Sequence, residues 1–319
     1  MAPVFRIARH DERKAPNMPN TLTRRAFSKT LLAGLSTAAL PSWASAEPRK
    51  LKIGCTTLIW GGLPGTPENL EPALKDMFEL GYWGFETFGS ILENWENKGT
   101  LAALLQKYPI PLTSAYTTVN VTDPSTRKEQ IEMLQRYAKL VKKHGGRFLV
   151  QSCNNRGQNY NFAEHRANIV AALNDYGRAV TDLGIGTGLH QHTGSAVENR
   201  DETYAVMETV NHNYMKFAPD VGQLQKGGAD AAQVVKDFSS IIVHMHFKDY
   251  KGWEHMAGYC PLGQGIVDLK SILATMEMAN PNANIMHELD GSAHMPFTPR
   301  QTAEIGKAYL QKLGYTFRT

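Results

Sequence analysis

The sequence predicts a single (β/α)8 barrel, a fold class for which about 250 residues is typical. Eight short runs rich in β-branched and aromatic residues alternate with helical patterns after residue 49. A doubly wound open sheet shows the same alternation, but its first strand normally leads into a G-x-G-x-x-G turn. Here the first run continues into IWGGLPGTPEN. No internal repeat or low-complexity linker interrupts this part of the chain, so one α/β domain is predicted.

The predicted strands occupy residues 50–60, 84–89, 111–118, 147–153, 186–194, 214–222, 241–249 and 283–290. Helical patterns fill the intervals between them. In RKEQIEMLQRYAKLVKKHGG, apolar residues recur at helical spacing and basic residues occupy the last turn. PENLEPALKDMFELG begins with proline at a first helical turn and ends at Gly81, which predicts a helix with a glycine stop.

Residues 1–46 predict a removable export signal rather than a part of the fold. TRRAFSK places Arg24 and Arg25 ahead of the apolar run TLLAGLSTAAL, and the small residues ASA follow at 44–46. This order resembles a twin-arginine signal, which carries folded proteins across the bacterial inner membrane. The apolar run is too short to span a bilayer. Cleavage after Ala46 would leave residues 47–319 as a barrel domain in the periplasm.

Removing this segment changes the charge of the chain. The segment holds seven of the 34 Lys+Arg residues and two of the 30 Asp+Glu residues, which leaves 27 basic and 28 acidic residues in 47–319. The basic pI is therefore no evidence for nucleic-acid binding, and no other stretch is apolar for long enough to cross a membrane.

Cys55, Cys153 and Cys260 lack metal-type spacing and are predicted to be reduced core thiols.

Polar and ionisable residues gather where the predicted strands end, which in a barrel is the active-site mouth. In chain order these residues are Glu86, Tyr116, Gln151, His190, His192, Asp220, His244, His246, Lys248, Asp249, His287, Glu288 and Asp290. Residues two apart share a strand face, so His190 should point with His192, and His244 with His246.

Each of these residues alone has a structural explanation; Asp220 could cap a turn, and Glu288 could pair with Lys248. Together they favour a metal site, because several ionisable groups at one barrel mouth are costly to desolvate without a cation or a substrate. A mixed imidazole and carboxylate set suits one divalent ion of the Mn, Co, Zn or Fe kind rather than Ca.

Five motifs, LHQHTG, PDVGQ, HMHFKD, PLGQGIVD and MHELD, occur in an order that resembles one family. They are similar to the sugar phosphate isomerase/epimerase family of the xylose isomerase-like TIM barrel, in particular its inosose dehydratase-like branch. The resemblance covers essentially residues 50–315 and implies one divalent metal at the ends of strands 5 to 8. On this chain the implied ligands are His190, Asp220, His246 and Glu288. The family usually has glutamate where His190 stands, a departure shared with the inosose dehydratase-like branch.

This departure bears on the implied mechanism. Epimerases of the family use two metal-bound glutamates on opposite faces of the sugar, and a histidine at position 190 removes that symmetric pair. A Lewis-acidic metal that polarises a sugar carbonyl remains. Glu288, Lys248 and His192 are then the candidates for proton transfer next to the carbonyl. Such a set suits aldose–ketose isomerisation, or elimination from a keto-sugar or keto-inositol.

Further residues are expected to contact the substrate. Glu86 matches a position that reaches the substrate in the family, although a salt-bridged rim carboxylate is the competing explanation. Trp60 and Tyr116 could offer apolar faces for sugar stacking, and Gln151 ends the fourth strand. Gln223 stands where the family often has a substrate-contacting histidine. The glycines of PLGQGIVD either let the backbone approach the substrate or only form a turn.

We therefore predict a metal-dependent enzyme that enolises the carbonyl of a non-phosphorylated sugar or cyclitol, such as a keto-sugar or keto-glycoside, and acts by isomerisation or by elimination. Export disfavours phosphorylated substrates, and no Arg-rich phosphate clamp is evident. The alternative is a non-catalytic, metal-carrying saccharide-binding protein or a partner subunit of a periplasmic sugar dehydrogenase. A metal-dependent endonuclease is a third option, disfavoured because residues 47–319 are not basic overall. We expect neither nucleic acid nor, after cleavage, a membrane as partner, whereas a homo-oligomer is compatible with the sequence.

Overall fold

Eight parallel strands form the barrel in the computed structural model, which describes residues 49–61, 66–290 and 296–319. The strands are β1 (Ile53–Thr56), β2 (Phe85–Phe88), β3 (Leu112–Val119), β4 (Phe148–Cys153), β5 (Gly186–His190), β6 (Lys216–Phe217), β7 (His244–Phe247) and β8 (Asn284–His287). Their order in the sheet is β6-β5-β4-β3-β2-β1-β8-β7. Parallel bridges from Phe217 to Ile242 and from Asp220 to His246 bring the barrel nearly to closure. The predicted fold class is confirmed, whereas the predicted signal at 1–46 lies outside the described residues.

Helices lie between the strands, as the sequence patterns predict. They are α1 (Leu70–Leu80), α2 (Gly89–Asn97), α3 (Leu101–Lys107), α4 (Arg127–Lys143), α5 (Phe162–Thr181), α6 (Arg200–Met207), α7 (Val221–Lys226), α8 (Ala231–Phe238), α9 (Leu269–Ala279) and α10 (Pro299–Lys312). Gly81 ends α1 with φ of 76°, the left-handed conformation expected of a glycine stop. Among the residues that the structure describes, every helix is too short or too polar to span a bilayer.

The strands are buried on both faces, because one face fills the barrel and the other packs against the helices. β1 and β4 are buried along their whole length. Cys55, Cys153 and Cys260 are buried and unpaired, which agrees with the predicted core thiols.

Several strands are shorter than the sequence patterns predict, and this affects the site. β1 ends at Thr56, and a 3-10 turn occupies Thr57–Trp60. β5 ends at His190, so His192 lies beyond the strand. The predicted strand 214–222 is reduced to two residues, since Pro219 has no N–H for a ladder and Asp220 already caps α7.

A two-stranded hairpin, Asp249–Tyr250 with Tyr259–Cys260, follows β7 and carries the loop with the motif PLGQGIVD. The carboxylate of Asp249 accepts hydrogen bonds from the backbone N–H groups of Gly263, Gly265 and Val267, at 3.0, 2.9 and 3.2 Å. The glycines of this loop therefore approach Asp249, which supports the turn interpretation rather than direct contact with a substrate.

Candidate active site

The C-terminal end of the barrel holds a cavity of about 390 Å³ whose wall comes from several strand ends. The described wall consists of Thr56, Thr57, Leu58, Glu86, Thr87, Phe88, Tyr116, His190, His192, His246, Glu288 and Asp290. Parallel strands of a barrel all end on the same side, which explains why residues so distant in the sequence share one cavity.

His246 lies in β7 between two buried carboxylates. Its Nε2 is 2.5 Å from Glu86 Oε1, with hydrogen-bond geometry. Its Nδ1 is 2.8 Å from Glu288 Oε2, but among the described residues this nitrogen has no partner with hydrogen-bond geometry. We therefore assign the ring hydrogen to Nε2, which leaves the lone pair of Nδ1 for a ligand.

The electrostatics of His246 favour a positive charge at this position. Burial lowers the pKa of His246, but the carboxylates of Glu288 and Glu86 outweigh burial and raise this pKa well above its ordinary value. A proton or a metal ion at Nδ1 would supply that charge.

His190 and Asp220 present further ligand atoms beside His246. His190 Nδ1 lies 3.1 Å from the carbonyl oxygen of Ala218 and donates to it, so Nε2 is the nitrogen that faces Asp220 Oδ2, 4.0 Å away. Burial and the neighbouring His246 lower the pKa of His190, which keeps its ring neutral and able to bind a metal. Asp220 caps α7, as its Oδ1 accepts from the backbone N–H of Gln223 at 3.0 Å. Capping uses one oxygen and leaves Oδ2 directed at the site.

Lys248 is completely buried among three carboxylates. Its Nζ lies 2.7 Å from Asp220 Oδ2, 2.8 Å from Glu288 Oε1 and 3.0 Å from Asp290 Oδ2. Burial lowers the pKa of Lys248, but the carboxylates, with Asp220 first, raise it well above its ordinary value. Lys248 is therefore a permanent ammonium that holds the carboxylates in place. It is not part of the described cavity wall.

The residues fit the predicted divalent metal. The ligand atoms of His190, Asp220 and His246 all lie within 4.8 Å of one another, and the three residues are buried. Four carboxylates, those of Glu86, Asp220, Glu288 and Asp290, meet here with one lysine. A divalent cation would offset the excess of negative charge. Zn–ligand distances of about 2.0–2.2 Å place neighbouring ligand atoms roughly 3–4 Å apart, and the 4.0 Å between His190 Nε2 and Asp220 Oδ2 lies at the upper end of that range.

A second group, Glu86 with His244 and His246, also has metal-type spacing. Both oxygens of Glu86 already have partners there: Oε2 accepts from Ser114 Oγ at 2.5 Å and lies 2.9 Å from His244 Nε2. His244 stacks on Phe148, with ring centroids 5.0 Å apart, and lies deeper in the barrel than the described cavity wall. This group therefore holds His246 from the barrel interior, and Glu86, which also lines the cavity, is its buried ion-pair partner.

His192 lines the cavity with both ring nitrogens engaged. Its Nδ1 donates to the carbonyl oxygen of Thr193 at 2.8 Å, and its Nε2 accepts from Gln223 Nε2 at 2.6 Å. Gln223 in turn accepts from the hydroxyl of Thr193 at 2.6 Å. Gln223 therefore positions His192 and is not part of the described cavity wall, and His192 must exchange one of its partners before it transfers a proton.

Other strand-end residues point away from the cavity or stop short of it. The ring N–H of Trp60 donates to Asp76 Oδ2 at 2.9 Å, and Gln151 donates to Thr187 Oγ1 at 2.8 Å; neither side chain belongs to the described wall. His287 is on the outer face of β8, where Nδ1 lies 2.9 Å from the hydroxyl of Tyr82. Tyr116 does line the cavity, as predicted.

Some residues of the site were not singled out from the sequence. Ser114 lies two positions before Tyr116 on β3 and fixes Glu86. Thr56 and Thr57 line the cavity at the end of β1. Their position as polar residues directly after an apolar strand could have indicated this from the sequence. Asp290 was recognised at a strand end, but its pairing with Lys248 depends on the closure of the barrel.

A barrel with ionisable groups buried at its C-terminal mouth defines a TIM-barrel protein with an enzyme-like site. The chain belongs to the xylose isomerase-like TIM barrel family, whose model matches residues 74–313. It is 23% identical over 218 residues to the inosose dehydratase of Mesomycoplasma hyopneumoniae strain J, covering 64% of this chain and 71% of that one.

Solved structures share the fold. The D-allulose 3-epimerase of Methylomonas sp. aligns with a TM-score of 0.68 at 19% identity, covering 83% of this chain and 98% of the other. The IOLI protein, solved with a zinc atom, aligns with a TM-score of 0.67 at 17% identity, covering 83% and 98%. At such identities these likenesses show the fold alone.

Proposed function

We propose that the protein is a divalent-metal-dependent enzyme that enolises the carbonyl of a sugar or cyclitol. The observation that carries this proposal is the grouping of buried ligand atoms from His190, Asp220 and His246, beside Glu288, at the C-terminal mouth of the barrel. Inosose dehydratase among the relatives and an epimerase among the structural neighbours support an enzyme that acts on sugars or cyclitols. The zinc atom in the IOLI protein supports a divalent metal.

In this proposal His190, Asp220, His246 and Glu288 hold the metal, and the metal supplies Lewis acidity toward the substrate carbonyl. Glu86 accepts the hydrogen bond from Nε2–H of His246, and the carbonyl oxygen of Ala218 accepts the one from Nδ1–H of His190. Both rings are thus held as the tautomer that binds a cation.

Glu288 is our candidate for the base that removes the proton from the carbon next to the carbonyl. It lines the cavity, and Lys248 fixes its Oε1 while Oε2 faces the ligand cluster. Burial raises the pKa of Glu288, but His246 and Lys248 lower it well below its ordinary value, so the carboxylate is ionised at neutral pH. Lys248 is a poor base because it stays protonated, and we assign it the positioning of Glu288 and Asp290.

After proton removal two outcomes conserve all atoms. Return of the proton to the neighbouring carbon gives the isomeric sugar, whereas departure of a β-hydroxyl or β-alkoxyl group, as water or an alcohol, gives the unsaturated ketone. By the resemblance to the family, His190 stands in the position of a second carboxylate base, which supports these outcomes over simple epimerisation.

We further propose a non-phosphorylated substrate met in the periplasm. The described cavity wall contains neither lysine nor arginine, so it offers no basic side chain to clamp a phosphate group. The twin-arginine pattern of TRRAFSK supports export.

The test is metal analysis of the purified protein, followed by incubation with inososes, ketoses and methyl 3-keto-glucoside and identification of the products by NMR. Loss of water or of methanol would assign elimination, and interconversion of sugars would assign isomerisation. Binding of these compounds without conversion in the metal-loaded protein would reject the enzymatic proposal.

A further inference from the structure

We infer that the substrate is a glycoside with a second ring, and that this ring occupies a neighbouring cavity beside the candidate active site. The inference rests on the proposed function for the position of the reacting ring. Both volumes counted with their open mouths, the neighbouring cavity has about 1030 Å³ and the first cavity about 390 Å³. Phe88, Tyr116 and His192 line both cavities and form their common border.

Tyr116 connects the two cavities. Its ring packs edge-on to His190, with centroids 5.4 Å apart, and stacks on His246 at 5.9 Å. Ser152 and Thr118 line the neighbouring cavity together with Tyr116 but do not line the first. A ligand that reacts beside the histidines and extends past Tyr116 would therefore enter a hydroxyl-rich space.

The chemistry of the neighbouring cavity matches a neutral, hydroxylated group. Its described wall carries serine, threonine and asparagine side chains, and no lysine, arginine, aspartate or glutamate. Within the described part of the chain, the side chains of Ser90 and Asn155 make no hydrogen bond, so they are available to ligand hydroxyls. Phe88 packs edge-on to Tyr116, with centroids 5.3 Å apart, and adds an apolar surface of the kind on which sugar rings stack.

Alternative ligand groups match this cavity less well. A phosphate or carboxylate would need a cation, which the described wall does not offer. A long apolar chain would cover the Ser90 and Asn155 side chains without offering them hydrogen bonds. A one-ring substrate would fill only the first cavity and leave this wall to water.

Binding of unreactive sugars tests the inference separately from the chemistry. Calorimetry of the metal-loaded full chain would compare methyl β-glucoside with cellobiose, maltose and sucrose, none of which carries the ketone. We expect at least one disaccharide to bind about tenfold more tightly than the methyl glucoside, the effect of one or two additional hydrogen bonds. Ser90→Trp and Asn155→Leu should each reduce this ratio towards one. Ser271→Trp, an exposed serine in the first turn of α9, is the matched control and should keep it.

Equal affinity for one-ring and two-ring sugars, or an unchanged ratio in both cavity variants, would overturn the inference. Failure of the proposed function would have a different signature. In that case the disaccharide preference would persist, while methyl 3-keto-glucoside and a 3-keto-disaccharide would show no enzyme-dependent exchange or conversion.

Discussion

Nε2 of His246 lies 2.5 Å from Oε1 of Glu86, although 160 positions separate the two residues in the chain. The same carboxylate accepts from Ser114 Oγ at 2.5 Å and lies beside His244 Nε2. Burial raises the pKa of Glu86, but His246 and His244 more than compensate and hold this pKa far below its ordinary value. Glu86 is thus a fixed anion that orients His246, the proposed metal ligand, without being one of the proposed ligands itself.

Replacing Glu86 with glutamine should weaken metal binding by about 10–100-fold, the usual effect of losing the partner that orients a ligand histidine. An amide has only one acceptor oxygen and cannot serve His246 and Ser114 as the carboxylate does. Calorimetric titration of the protein with metal measures this change in metal affinity. Glu208→Gln, at an exposed carboxylate, is the control, and an unchanged affinity in Glu86→Gln would refute the positioning role.

Removing the metal should lower the thermal stability of the protein. Binding to the folded state alone stabilises by about 2.7 kcal/mol when free metal is 100 times Kd, which for a domain of this size raises Tm by roughly 5 °C or more. Differential scanning calorimetry with chelator, then with Zn or Mn restored, tests this. Asp220→Asn and His246→Ala should lose most of the metal-dependent shift. A Tm that is insensitive to metal in the wild-type chain would count against the site.

Lys248→Met should destabilise the protein by about 3–5 kcal/mol, because it leaves the carboxylates of Asp220, Glu288 and Asp290 buried without their cation. Urea denaturation of the metal-free protein measures the change. Lys236→Met, at an exposed lysine of α8, should stay within about 0.5 kcal/mol of the wild type. Similar values for the two variants would show that Lys248 is not the counter-ion proposed.

Gly265→Ala should destabilise the loop after the hairpin, with a cost of about 1–3 kcal/mol for overpacking. A Cβ at Gly265 would lie 2.1 Å from Asp249 Oδ1. The carboxylate would have to move and would lose its hydrogen bonds to the backbone of the loop. Gly157→Ala is the matched control, since nothing lies within 4 Å of a Cβ there. Urea denaturation compares the two variants, and equal stabilities would show that the loop does not depend on Asp249.

The barrel predicted from the sequence is confirmed, because it follows from short-range patterns, whereas the metal-ligand role of its strand-end residues stays a prediction. Strand alternation places polar residues at one mouth, and His190, Asp220 and His246 indeed meet there. The sequence did not predict that Lys248 is buried among carboxylates and absent from the described cavity wall, or that Glu86 is held by Ser114. Those relations depend on the register between neighbouring strands and on closure of the barrel, which periodicity along a single chain does not contain.

The boundaries of the strands limited the remaining predictions. Period-two alternation placed His192 on a strand face with His190, but β5 ends at His190 and the chain turns there. His192 consequently meets Gln223, which the pattern alone treated as an independent substrate contact. Gln151 lies inside β4 and Trp60 ends a 3-10 turn rather than β1, and their hydrogen bonds direct them to Thr187 and Asp76.

Deuterium exchange tests the central claim, metal-dependent enolisation, most directly. Methyl 3-keto-glucoside would be incubated in D₂O with the metal-loaded protein, and the proton next to its carbonyl followed by NMR. We predict that the metal-loaded protein removes this signal faster than the metal-free protein, and that Glu288→Gln slows the loss by about 100-fold or more. An exchange rate equal to that of the enzyme-free solution, or one indifferent to metal and to Glu288, would contradict the account.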